Sequence, residues 1–195
     1  MNSPNVSLEP LIDQIFDQLR QHGSTVADRR RAGLAPERIE TILTGLGMDA
    51  PSGLLELYCA CDGTSTYESD TIGEIQFFPG FYWMSLEDAA TVYRAVSKSD
   101  EWDPSWLPFF ANGGGDFYAL VCDEKSPYFG EVVGFVIGEV SQIVEFESIF
   151  SLFQTIARSF DDGVFTFSEG RLRADYVAMR AIARQTQPEF VEHDA

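Results

Sequence analysis

Histidine is nearly missing from this 195-residue chain, which has only His22 and His193. A Ser-His-Asp or Cys-His centre needs an imidazole held by packing beside its nucleophile, and neither position promises that. Cysteine is scarce too. Cys59-Ala60-Cys61 is C-x-C rather than the C-x-x-C of redox and zinc sites, and Cys122 stands alone. Three small apolar side chains in a reducing compartment fit that spacing better than a disulfide framework or a metal set. No stretch approaches the ~20 uninterrupted apolar residues of a membrane helix. There is no internal repeat and no low-complexity tract. The opening MNSPNVSLEP lacks the basic-then-apolar pattern of a secretory leader, so a cytoplasmic location is expected.

Positive charge is the other shortage. The chain carries 13 Lys+Arg against 31 Asp+Glu, a formal net charge of −18. Residues 51–150 hold 17 of the acids against Arg94, Lys98 and Lys125 alone, which places −14 of the total there. Nucleic-acid affinity comes from cations neutralising phosphates, so nucleic acid is excluded as an expected partner, and anionic membrane surfaces with it. Such a field attracts basic proteins and speeds their encounter. It also serves solubility alone, and charge by itself does not separate the two.

What is present supports a folded domain. The apolar fraction is 45%, and a chain of this length buries roughly 70% of its unfolded surface without staples. Leu8, Leu11, Ile12, Ile15, Phe16 and Leu19 recur at helical steps and predict an amphipathic helix over 7–21, capped by Ser7. The polar, basic stretch Ala27–Arg31 reads as a loop or frayed turn. A second helix is expected from Pro36 to Gly45 or Gly47, and a third from Pro51 to Asp62-Gly63. Strand signals follow over Ile72–Phe78 and Phe81–Met84. Ser85-Leu86-Glu87-Asp88 matches a capping box and opens a helix to about Ser97. After the irregular SDEWDPSWLP turn, β signals recur at Phe109-Phe110, Phe117–Cys122, Val132–Ile137 and Ile143–Phe146, joined by short turns as antiparallel meanders require. Ser148–Phe160 and about Arg171–Gln185 read as closing helices. Helices, then strands, then helices give an α+β class around a mainly antiparallel, curved sheet.

Chemistry is sparse in this inventory. Asn112-Gly-Gly-Gly-Asp116 opens a strand and carries an acid, so it reads as a tight turn rather than a phosphate loop. No calcium-loop spacing occurs, and neither metal nor cofactor is expected. Paired carboxylates leave a hydrolase open: a pocket lined by two acids, one buried against aromatics, would favour it. Aromatics are concentrated, with 15 of 26 falling within residues 77–135. Alternation in Phe81-Tyr82-Trp83-Met84 makes both faces of that strand apolar, so either helices cover both or one is a binding surface.

Several pieces, read in order, are similar to the SUKH superfamily. They are Pro51 before a short helix ending in Asp62-Gly63, FYWMSLEDAATVY at 81–93, WLPFFANGGGDFYAL at 106–120, Gly130–Phe135, and a Phe-Glu-Ser-Ile helix start at 146–149. The resemblance spans about 36–160 and implies a single α+β domain that binds proteins without catalysis. Bacterial members of that family resemble immunity proteins encoded beside secreted toxins; fungal members resemble signalling adaptors of cell-wall synthesis. It divides the chain into an N-terminal helix and loop (1–35), the core (36–160), and a helical extension packed on it (161–195). Trp106, Gly115 and Asp116 are the motif positions, with roles in turn and core or in contact.

The leading expectation is therefore an immunity protein that occludes a basic toxin, with a nuclease as one candidate, as a monomer or weak dimer. The expected contact set is Asp62, Glu68, Asp70 and Glu74 in one acidic loop, with Trp102, Asp103, Asp123 and Glu124 as anchors and rim. A regulatory adaptor is the alternative. Arg171, Arg173, Arg180 and Arg184 could instead neutralise the acidic middle within the chain.

Overall fold

A computed structural model describes residues 7–168 and 171–195. The helices are α1 (Leu8–Gln21), α2 (Pro36–Thr44), α3 (Ser52–Ala60), α4 (Ile72–Ile75), α5 (Leu86–Val96), α6 (Ile149–Asp161) and α7 (Tyr176–Thr186), with a 3-10 turn at Thr25–Arg29. The strands are β1 (Tyr82–Trp83), β2 (Trp106–Ala111), β3 (Phe117–Val121), β4 (Val132–Phe135), β5 (Ile143–Phe146), β6 (Phe165–Ser168), β7 (Arg171–Ala174) and β8 (His193–Asp194). Antiparallel pairing orders the main sheet β1-β2-β3-β4-β5-β8, and β6-β7 form a separate hairpin. The class is α+β, as the order of sequence signals predicts.

Apolar periodicity decides the layers. Leu8, Ile12, Ile15, Phe16 and Leu19 form the buried stripe of α1, which packs with α3 and α6 against one face of the sheet. Phe77 sits at the centre of that core, with ring centroids 5.3 Å from Phe16, 5.2 Å from Trp83 and 6.0 Å from Phe153. On the opposite face Trp106, Ala119, Val121, Val133, Phe135 and Val144 form a second cluster, covered by Trp102 and flanked by Tyr93, Val96 and Phe190. The two-sided apolar pattern at β1 resolves in the same way. Phe81 and Trp83 face the first core, and Tyr82 and Met84 pack with Ala89 and Val92 of α5.

Two predicted elements differ. Residues Ile72–Phe78, expected as strand, begin as the short helix α4. Thr71 and Glu74 close a reciprocal capping box there, satisfying two orphan amide donors locally. The last helix starts at Tyr176 rather than Arg171. Residues Arg171–Ala174 pair with Phe165–Ser168, and the Asp175 side chain accepts the amides of Val177 and Ala178 to open the helix. The helix does fold back, burying Met179, Ile182 and Ala183.

Candidate functional site

The expected contact set divides in space. Trp106 pairs with Val121 across β2 and β3, and the Cys122 amide donates to the Ser105 carbonyl at 2.8 Å. The turn carrying Asp103 therefore lies at the same sheet end as Asp123 and Glu124. Asp49 joins them, accepting the Glu124 amide at 3.0 Å. The acids at 62–74 lie elsewhere, beyond the edge strand β1, where the Thr64 amide donates to the Trp83 carbonyl.

Within that second group the acids are largely consumed by structure. Asp62, expected at the surface, is only 3% exposed. Its Oδ2 meets Arg31 at 3.0 Å and its Oδ1 accepts the Leu86 amide at 2.8 Å, fixing the start of α5. Asp70 takes a bidentate pair from Arg29 at 2.5 and 3.1 Å. The Arg29 hydrogen bond holds its carboxyl below the usual range. Glu74 is exposed but held by the Thr71 amide and hydroxyl, which also keep its carboxyl low. Glu68 is exposed. The basic loop at Arg29 and Arg31 thus does the neutralising that the C-terminal arginines were a candidate for. Arg171, Arg173, Arg180 and Arg184 are exposed and form none of the ion pairs among the described residues.

Trp102 is not an exposed anchor. It is 4% exposed, packs edge-on to Phe117 and Trp106, and donates its indole N–H to the Trp106 carbonyl at 3.1 Å. Trp106 is buried in the same cluster. Asp116 fixes two turns at once, accepting the Asn112 side-chain amide at 2.6 Å and the Ile137 amide at 3.1 Å. Gly115 sits at φ 109°, where a side chain is strained, and a Cβ would come within 3.0 Å of Ile137. These motif positions shape the fold.

Above the buried tryptophans lies a cleft of about 660 Å³ that the sequence did not reveal. One wall is the turn with Asp100, Glu101 and Asp103; the other is the β4–β5 hairpin with Glu139 and Val140. All four acids are exposed, no lysine or arginine lines the cleft, and Val140 projects fully into solvent. From residue 100 to 147 the chain holds ten acids against Lys125 alone. Of the expected residues, Trp102, Trp106 and Asp103 line this cleft. Asp123 is half-buried and Glu124 exposed.

A second, smaller pocket of about 270 Å³ opens on the other sheet face, between β3, β5 and α7. It is lined by Glu145 and Glu192, with Tyr118, Tyr176 and Arg180 around them. Glu145 accepts the Tyr118 hydroxyl at 3.1 Å, and burial pushes its carboxyl up. This meets the condition set for the hydrolase alternative.

His193, which the sequence did not promise to hold, packs at a tilt against Tyr128 with ring centroids 4.4 Å apart and reaches Glu131 at 3.2 Å. His22 stacks on Phe167. No serine or cysteine hydrogen-bonds either ring among the described residues. No group of three or more metal-ligating side chains occurs among them, and no helix is long and apolar enough to cross a membrane.

An antiparallel sheet with α1, α3 and α6 on one face and α5 on the other, and an acidic cleft above buried aromatics, define an α+β domain. The comparisons agree: the model of the SMI1 / KNR4 family (SUKH-1) matches residues 33–164. The chain belongs to that family, within the SUKH superfamily, whose members serve in protein-interaction or immunity-type roles. No curated protein matches the chain.

Proposed function

We propose that the protein is a non-enzymatic immunity protein that binds a basic toxin through the acidic cleft between residues 100–103 and 139–140. The observation that carries this reading is the cleft's charge: Asp100, Glu101, Asp103 and Glu139 converge with no cation among them. Exposed Val140 beside these acids supplies an apolar contact within a charged rim, the usual anatomy of an interface. Unpaired acids cost little to present to solvent and gain most from a cationic partner that displaces that solvent.

Within the wider contact set, Asp103, Asp123 and Glu124 act as steering charge, whereas the exposed Glu68 and Glu74 lie outside the cleft. Asp62, Asp70 and Trp102 hold the scaffold. The test is a titration with the product of the neighbouring reading frame. A tight one-to-one complex whose affinity falls steeply between about 50 and 500 mM salt is expected, because screening shortens to a few Å over that range. Salt-independent affinity would refute the electrostatic mechanism. Weak binding of several unrelated partners would favour the adaptor role.

One observation favours a carboxylate-dependent hydrolase as a second reading, namely the Glu145–Glu192 pocket. It requires turnover that disappears in Glu145→Gln. The pocket's lining residues include no histidine, serine or cysteine to share that work.

A further inference from the structure

The β4–β5 pairing puts Val132 opposite Phe146 and Val133 opposite Val144, so Glu145 is the extra residue of a β-bulge. A bulge re-aims a side chain, and here the carboxylate lies on the face that α7 covers. Two features fit the sheet to it. Gly134 lies beneath, where a Cβ would stand 2.1 Å from Glu145 Oε1, so any larger residue would expel the carboxylate. Tyr118, opposite Gly134 in the register, donates its hydroxyl to Oε2.

Oε1 has no hydrogen-bond donor among the described residues, and the Glu145 side chain lines the pocket formed with α7. The walls there are Tyr118, Phe146 and Tyr176, aromatic faces that attract cations. Arg180 also lines the pocket but stays beyond ion-pair distance of either acid. A half-buried carboxylate with one free oxygen, beside aromatic rings, is matched by an N–H donor carrying positive charge. At about 270 Å³ the space is below the range of ordinary metabolite pockets, and suits one slender basic chain.

We propose that this pocket binds a single alkylammonium or guanidinium group, with Glu145 as its counter-ion and Tyr118 as the residue that positions it. The group's source is either a free amine or a Lys/Arg side chain of a polypeptide. The pocket lies on the opposite sheet face from the acidic cleft, so the inference stands or falls separately from the toxin reading. Binding strengthens as pH rises, because the guest pairs with the ionised carboxyl and burial disfavours that form. The groups facing Glu145 are Tyr118 from β3, Tyr176 and Arg180 from α7, and Glu192 ahead of β8. Of these, Glu192 opposes ionisation of Glu145 and Arg180 assists it.

The test is a titration of the whole chain with n-butylguanidinium, followed by amide NMR at about pH 5 and pH 8. Saturable shifts at Tyr118, Gly134 and Arg180 are expected, with tighter binding at the higher pH. Glu145→Gln should weaken binding at least about tenfold, the loss of one charge-assisted hydrogen bond. Arg180→Ala, on the exposed side of α7, should tighten it several-fold by removing a like charge from the mouth. A glycine-flanked arginine peptide forms the second arm. Binding of the peptide alone assigns the source to a polypeptide, and binding of the free cation alone assigns it to a small molecule. The absence of saturable shifts with either probe overturns the proposal. So does equal affinity in Glu145→Gln, or no gain in Arg180→Ala.

Discussion

The Asp116 carboxylate accepts the Ile137 amide at 3.1 Å, binding the turn between β2 and β3 to the tip of the β4–β5 hairpin. That tip carries Glu139 and Val140, so a turn residue sets one wall of the acidic cleft. Asp116→Ala removes the Asn112 contact as well and should cost about 1.5–3 kcal/mol, the range for hydrogen bonds to charged groups. Urea unfolding measures the loss. An unchanged midpoint would mean that the turn is held by other contacts.

The Arg29–Asp70 pair makes a pH prediction. Arg29 depresses the Asp70 carboxyl, so the folded state holds the ionised form more firmly than the unfolded chain does. That stabilisation is present above the unfolded carboxyl's range and is lost as pH falls through the depressed value. Asp70→Asn should therefore be less stable than the parent near neutrality, and the gap should close under acid. Unfolding curves at about pH 7 and pH 3 would show a constant gap if the ion pair carried no stability.

Much of this was legible in sequence, and the gaps have physical causes. The stripe of α1 and the Ser85 cap of α5 are local patterns, and both hold. The same capping logic was available at Thr71-Ile72-Gly73-Glu74, where β-prone Ile72, Ile75 and Phe77 pointed to strand instead. At Arg171–Ala174 apolar Leu172 between two arginines alternates as a strand does, and Asp175 is the true cap. The acidic cleft was out of reach because its walls come from turns far apart in sequence. Glu145 was hidden for another reason: a bulge is a fact of register between strands, with no signature in either one.

Trp102 separates core from contact. Buried among Trp106, Phe117 and Phe135, it should cost about 3–5 kcal/mol when cut to alanine. Differential scanning calorimetry is the readout. A variant that keeps its Tm and loses only partner affinity would return Trp102 to the role of surface anchor.

The three thiols should differ in reactivity. Cys59 is exposed, whereas Cys61 and Cys122 are buried, and burial pushes the Cys61 thiol up to about 11 and the Cys122 thiol higher still. Since the thiolate is the reacting form, iodoacetamide at neutral pH should label Cys59 alone in the folded protein and all three in denaturant. Mass spectrometry reads the count, and labelling of Cys122 without denaturant would contradict the packing of the sheet.

The central claim is that the acidic cleft, rather than acidity in general, engages the partner. Affinity for the neighbouring gene product, measured by calorimetry, should fall by at least about a hundredfold in Asp100→Asn, Glu101→Gln, Asp103→Asn, Glu139→Gln combined, as for loss of several complementary charges. Glu68→Gln with Glu74→Gln, outside the cleft, should leave it within about threefold, the scale of screened surface charges. Equal losses in the two variants, or none in the first, would contradict the account.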